Sequence, residues 1–138
     1  MGTLHKHVTV GALPAAVYNY IANVRNAPGY ISAIHRITSG PVDPPAVGQR
    51  FAAEATFLGR PAALTLRLAA LDPGRRVVIA LDGDPAATLT IALTPAVPGP
   101  GTRVATTLDV PSVSGLVLPF VMGPMLDESM QRLARAVG

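Results

Sequence analysis

The stretch Gln49-Arg50-Phe51-Ala52-Ala53-Glu54-Ala55-Thr56-Phe57-Leu58-Gly59-Arg60-Pro61-Ala62-Ala63-Leu64-Thr65-Leu66-Arg67-Leu68 decides the fold. In its first half Phe51, Ala53, Ala55 and Phe57 alternate with Arg50, Ala52, Glu54 and Thr56, the period of two that marks a strand with one dry and one wet face. In its second half Leu64, Leu66 and Leu68 alternate with Thr65, Arg67 and Ala69 in the same way. Gly59-Arg60-Pro61 lies between them as a turn, so the two runs form a hairpin. A turn at that place sets Glu54 opposite Arg67, a cross-strand surface pair of little energetic weight.

Working outward, the alternation continues over residues 76–82, 88–95 and 103–110, with turns at Asp72-Pro73-Gly74, Gly83-Asp84-Pro85 and Pro98-Gly99-Pro100-Gly101. No helix separates these runs, which excludes a doubly wound parallel sheet and leaves a long antiparallel one. Upstream, residues 5–10 alternate as a strand. Pro14 then opens a short helix over residues 14–24, in which Val17, Tyr20, Ile21 and Val24 recur at helical spacing. Asn26-Ala27-Pro28-Gly29 breaks it, a second helical turn is expected at residues 30–33, and a strand at 34–39 leads into a Pro-rich loop at 41–48. Beyond Pro111 the period turns helical again. Leu126, Met130, Leu133 and Val137 share one face of a terminal helix capped by Ser112 or Ser114. Pro119 and Pro124 remove helical hydrogen bonds, so a kink or break is expected there, with residues 116–125 as a mobile lid.

The composition fits one folded domain over residues 1–138: 49% of the residues are hydrophobic and 14% charged, against roughly a quarter charged in an average globular chain. The net charge is +3, yet the cations are scattered, with Arg75-Arg76 the one adjacent pair, and the aromatics are few. A nucleic-acid binder concentrates its cations on one face, so that class is excluded. With no cysteine, disulfides, thiolate catalysis and iron–sulfur sites fall away. The apolar run 116–126 is too short and broken to span a bilayer, so no stable membrane insertion is expected. Residues 1–10 lack the apolar core of a signal peptide, and the expected compartment is the cytoplasm.

Strand, two short helices, further antiparallel strands and one long terminal helix make an α+β arrangement, and a curved sheet wrapped round that helix buries both apolar faces. Leu13-Pro14-Ala15-Ala16-Val17-Tyr18-Asn19-Tyr20-Ile21-Ala22-Asn23, Asn26-Ala27-Pro28-Gly29-Tyr30, Val47-Gly48-Gln49-Arg50-Phe51, Asp72-Pro73-Gly74-Arg75-Arg76-Val77 and Gly101-Thr102-Arg103-Val104 follow one another in that frame. In order and spacing this resembles the START-like, or SRPBCC, helix-grip superfamily, in particular its polyketide cyclase/dehydrase-type branch. Asn23 stands where that family often has an acid, and Tyr30 where it often has Trp. The resemblance implies about seven strands round a kinked terminal helix, with a hydrophobic cavity between sheet and helix. It also implies a choice between binding of a lipid, quinone or polyketide-like molecule and polyketide cyclase/dehydrase-type catalysis. The apolar segment 116–126 adds a third expectation, docking on a partner or membrane surface. The resemblance implies no cofactor and is compatible with a homodimer.

The sheet's apolar parity places Phe51, Ala53, Ala55 and Phe57, then Leu66, Leu68, Ile79 and Ile91, on the face toward the terminal helix. From that helix Leu116, Phe120 and Met125 are expected to face them. Small Ala53 and Ala55 between two Phe residues, and Met in the helix, leave adaptable room for a guest. Tyr30 is placed to donate a phenolic hydrogen bond to a ligand carbonyl, with packing at the cavity rim as its plainer role. His35 is the other acid–base candidate. The parity at residues 33–37 leaves two readings: His35 points inward with Ala33 and Ile37, or Ile34 is buried and His35 meets water. His5 and His7 share a strand face, but no third ligand lies near them in sequence, so no metal is expected.

Overall fold

The computed structural model describes residues 2–57, 59–83, 86–97 and 99–138. Leu58, Asp84, Pro85 and Pro98, named in the turns above, lie outside the described residues. The chain runs β1 (Gly2–Val10), α1 (Pro14–Ala22), a 3₁₀ helix (Val24–Gly29), β2 (Ile34–Ser39), β3 (Arg50–Phe57), β4 (Arg60–Asp72), β5 (Arg76–Asp82), β6 (Ala87–Pro95), β7 (Thr102–Val110) and α2 (Leu118–Val137). All seven strands form one antiparallel sheet in the order β1-β7-β6-β5-β4-β3-β2. The helices lie on one face of this curved sheet, and the architecture is the α+β helix grip.

The β2–β7 meander follows from period-two sequence, but its first hairpin turns earlier than the sequence indicates. Phe57 pairs with Arg60, so the chain reverses between them, with Gly59 at φ +78. A tight turn with positive φ is one that glycine supplies without steric cost. The register therefore shifts, setting Glu54 beside Ala63 and Arg67 beside Arg50. Glu54 pairs instead with Arg36 at 2.8 Å, and Arg67 with Asp82 at 3.4 Å. Pro61 is tolerated because β5 does not reach that part of β4, so its missing N–H interrupts no ladder. At the start of β7, Gly101 has φ +113 and lies so close to the Val10 carbonyl that a Cβ would clash with it.

α1 carries Pro14 at its first turn and buries Val17, Ile21 and Ala22. The second helical segment comes earlier than the expected 30–33: it takes up Asn26-Ala27-Pro28-Gly29, and the Asn23 side chain accepts a hydrogen bond from the Arg25 N–H at its start. α2 begins at Leu118 and not at a serine cap, because the Ser114 hydroxyl accepts from the Leu116 N–H in a local turn. Pro119 occupies its first turn, and Pro124 lies inside a helix that runs on to Val137. The expected break is therefore not seen. Leu118, Met122, Leu126, Met130 and Leu133 form its buried stripe, and Lys6 on β1 reaches Asp127 at 3.1 Å.

Candidate functional site

On the inner face of the sheet α1 packs over β5 and β6, and Leu66, Leu68 and Ile79 are fully buried. Beside Leu66 and Ile79, across the strands, α2 leaves a small cavity. Leu81, Leu89, Ile91 and Leu108 floor it, Met122, Met125 and Met130 roof it, and Tyr30 and Phe57 close its sides. The space open to the centre of a water molecule there is about 40 Å³. That is room for a few waters at about 10–15 Å³ each, so a larger guest must displace side chains.

Two polar side chains line this cavity. Ser129 is spoken for: its Oγ accepts from the Ser32 N–H at 3.0 Å and donates to the Met125 carbonyl at 2.9 Å. The Ser32 hydroxyl donates to the same carbonyl at 3.1 Å. Together they tie α2 to the segment leading into β2. Tyr30 is different. It is 1% exposed, and its hydroxyl has no hydrogen-bond partner among the described residues. Burial, with a smaller contribution from Tyr20, pushes the phenol well above its ordinary range, so Tyr30 stays protonated and is a donor, not a base. The Tyr20 ring supports it at 5.8 Å between centroids. Leaving a buried hydroxyl unpaired costs about 1–3 kcal/mol.

Beside the cavity lies an open groove of about 510 Å³ on the same measure, between α2 and the β2–β3 edge. Phe57, Met122 and Met125 line both spaces and form the wall between them. His35 sits in the groove, its Nε2 at 2.6 Å from Thr56 Oγ1. The second of the two readings holds, with Ile34 buried and His35 meeting water, although the strand is not regular there. Ile34 pairs with Ala55 and Arg36 with Glu54, so His35 is the extra residue of a β-bulge. Both His35 and Arg36 are consequently exposed, while Ile34 is buried and Ile37 partly so.

Of the residues expected at a ligand site, the structure gathers Tyr30, Phe57, Ile91 and Met125 round the cavity. Ala53, Ala55, Leu66, Leu68 and Ile79 are instead closed core without a free face. Phe51 faces a separate groove near the Pro-rich loop, under the Arg25 guanidinium at 6.0 Å from its ring. Leu116 and Phe120 point outward, 85% and 84% exposed, because α2 starts late and its buried stripe runs through Leu118 and Met122. Ser129, Leu81 and Leu108 were missed. Parity marks the last two as buried, but nothing in the sequence says where on the sheet a space stays open. His5 and His7 stand on the outer sheet face, His5 at 3.0 Å from Thr107 Oγ1. Among the described residues, no group of three or more acidic or imidazole side chains is arranged to hold a metal.

A sequence profile described as polyketide cyclase / dehydrase and lipid transport matches residues 1–138. The chain belongs to that family. Solved structures similar to this polyketide cyclase/dehydrase family member include a START superfamily protein of Mycobacterium smegmatis, with a TM-score of 0.80 at 16% identity over 99% of this chain and 97% of that one. An aromatase/cyclase of a Streptomyces species gives 0.75 at 13% identity, covering 98% and 92%. A Chromobacterium violaceum protein gives 0.74 at 20% identity, covering 99% and 98%. At these identities the likeness is one of fold. Among curated proteins, none matches the chain in sequence at a significant level. No helix among the described residues is long and apolar enough to cross a membrane.

Proposed function

We propose that this family member binds a hydrophobic small molecule, acyl or ring-containing, in the cavity beneath α2. The observation that carries the reading is the unpartnered hydroxyl of Tyr30, a residue that lines an otherwise apolar enclosure whose roof is methionine. A lone donor in an apolar pocket fixes the orientation of a guest that brings one acceptor, while burial supplies the affinity. Methionine side chains move aside at small energetic cost, which reconciles the small resting volume with a larger ligand.

Catalysis of the cyclase type is supported less well. Tyr30 and His35 line different compartments, so no acid–base pair faces one reacting atom. The outward Leu116 and Phe120 support a contact with another apolar surface as a secondary role. Native mass spectrometry of freshly purified protein tests the main reading. The expected result is a co-purified lipid, quinone or aromatic of defined mass. A bare chain that also fails to take up Nile red, an uncharged fluorophore, overturns it.

A further inference from the structure

The cavity and the groove beside it share Phe57, Met122 and Met125 as a common wall, two of the three being flexible thioethers. Rotation of the methionines joins the closed apolar space to the open one. The joined volume has an apolar inner end with a single phenolic donor and a mixed outer end. In the outer end His35 and Thr56 offer hydroxyl and imidazole groups, already in contact at 2.6 Å.

Charge is what narrows the ligand. Among the described residues, neither space is lined by lysine or arginine. Glu128, a carboxylate in the groove, is held by Arg132 at 3.1 Å and Arg135 at 3.7 Å, both outside the groove lining. A guest with a carboxylate or phosphate head would lose hydration there, gain no permanent cation beyond the imidazole of His35, which is neutral in alkali, and approach a like charge. A hydroxyl, ketone or amide meets only partners it can use. We infer that the ligand is an uncharged amphiphile that enters by the groove, leaves its polar end beside His35 and Thr56, and is not a fatty acid or phosphate ester. The inference rests on the binding reading above and adds the chemical class.

The test displaces Nile red with a twelve-carbon methyl ketone and with the carboxylate of equal length, at pH 8, where an ordinary carboxylate is ionised. The expected result is that the ketone competes at concentrations lower by about tenfold or more, since the unpaired anion pays its desolvation unaided. Val121→Lys then places an ammonium on the groove rim at a helical position that lysine suits. It is expected to strengthen carboxylate binding by about fivefold and leave the ketone within about twofold, the size of a partly exposed ion pair. Carboxylate binding equal to or tighter than ketone binding in the parent overturns the inference while leaving the cavity reading intact. So does a folded Val121→Lys variant, checked by its unfolding midpoint, that gains nothing for the carboxylate. Absence of Nile red uptake in the parent overturns the cavity reading itself, and this inference with it.

Discussion

The inner sheet face is built from one alternating pattern and carries residues with opposite surroundings. Leu66, Leu68 and Ile79, like Val17 and Ile21 of α1, are essentially inaccessible and border no cavity. Their cross-strand neighbours Leu81 and Leu89, together with Ile91, meet Met122, Met125 and Met130 of α2, and a cavity remains. The strand pattern does not make the difference. The covering side chains do, because unbranched thioethers have many rotamers to offer and β-branched side chains few.

The most direct way to break this contrast is paired truncation. Leu66→Ala, at a position that is fully buried and borders no cavity, is expected to lower unfolding stability by about 3 kcal/mol, since it opens a new void. Leu89→Ala, at a wall that already borders free volume, is expected to lose about 2 kcal/mol, closer to the transfer contribution alone. Equal losses in urea unfolding would show that the two positions are packed alike. Ala87→Phe sharpens the contrast from the other side. Ala87 lines the cavity at the start of β6, so the added ring occupies the ligand's place, and Nile red affinity should fall by more than tenfold, about 1.4 kcal/mol. A folded variant that takes up dye normally would move the site elsewhere.

Tyr30→Phe has a smaller effect, with opposite signs in two measurements. Removing an unpaired buried hydroxyl should raise stability by about 1 kcal/mol, while the affinity for a ketone probe falls and that for a pure hydrocarbon does not. The pH dependence follows the direction of the phenol's shift. With the folded pKa raised above the unfolded value of about 10, the contribution is fully present below that pH and is lost as pH rises above it. The parent should therefore lose stability in alkali more steeply than Tyr30→Phe. The smallest effect is expected at the far edge of the sheet, where Arg36 holds the exposed Glu54 carboxyl below its ordinary range through a bidentate hydrogen bond. Its contribution exists above the ordinary carboxylate pKa and disappears as pH falls through the lowered value, so any difference between the parent and Glu54→Gln should vanish in acid.

Most of the sheet was legible because period-two alternation is a local property, and every strand of the meander carries it. What escaped was set by contacts that alternation does not encode. The bulge at His35 adds one residue to a strand, so parity left two readings open there, and the structure settles on the one with Ile34 buried and His35 exposed. The β3–β4 register depended on whether Gly59 or Pro61 made the turn, and positive φ at Gly59 decided it. Leu116 and Phe120 read as helix-face residues only if α2 starts at a serine, and Ser114 spends its hydroxyl on a preceding turn. At the site, Tyr30 could be singled out from its place after the helix break. That its hydroxyl lacks a partner depends on the tertiary packing that buries it, which no single segment reveals.

The bulge has a further consequence for how molecules of this protein avoid one another. β2 is one of the two edges of the sheet, and an edge strand with regular backbone spacing is a template on which a second molecule can add a strand. The register of β2 slips twice, at Ile34/Arg36 and again at Ile37/Ser39, so its outward N–H and C=O groups do not repeat at the interval an incoming strand requires. The irregularity that turns His35 toward the groove thus also blunts this edge against β-aggregation, and a substitution that straightened β2 would be expected to trade solubility for regularity.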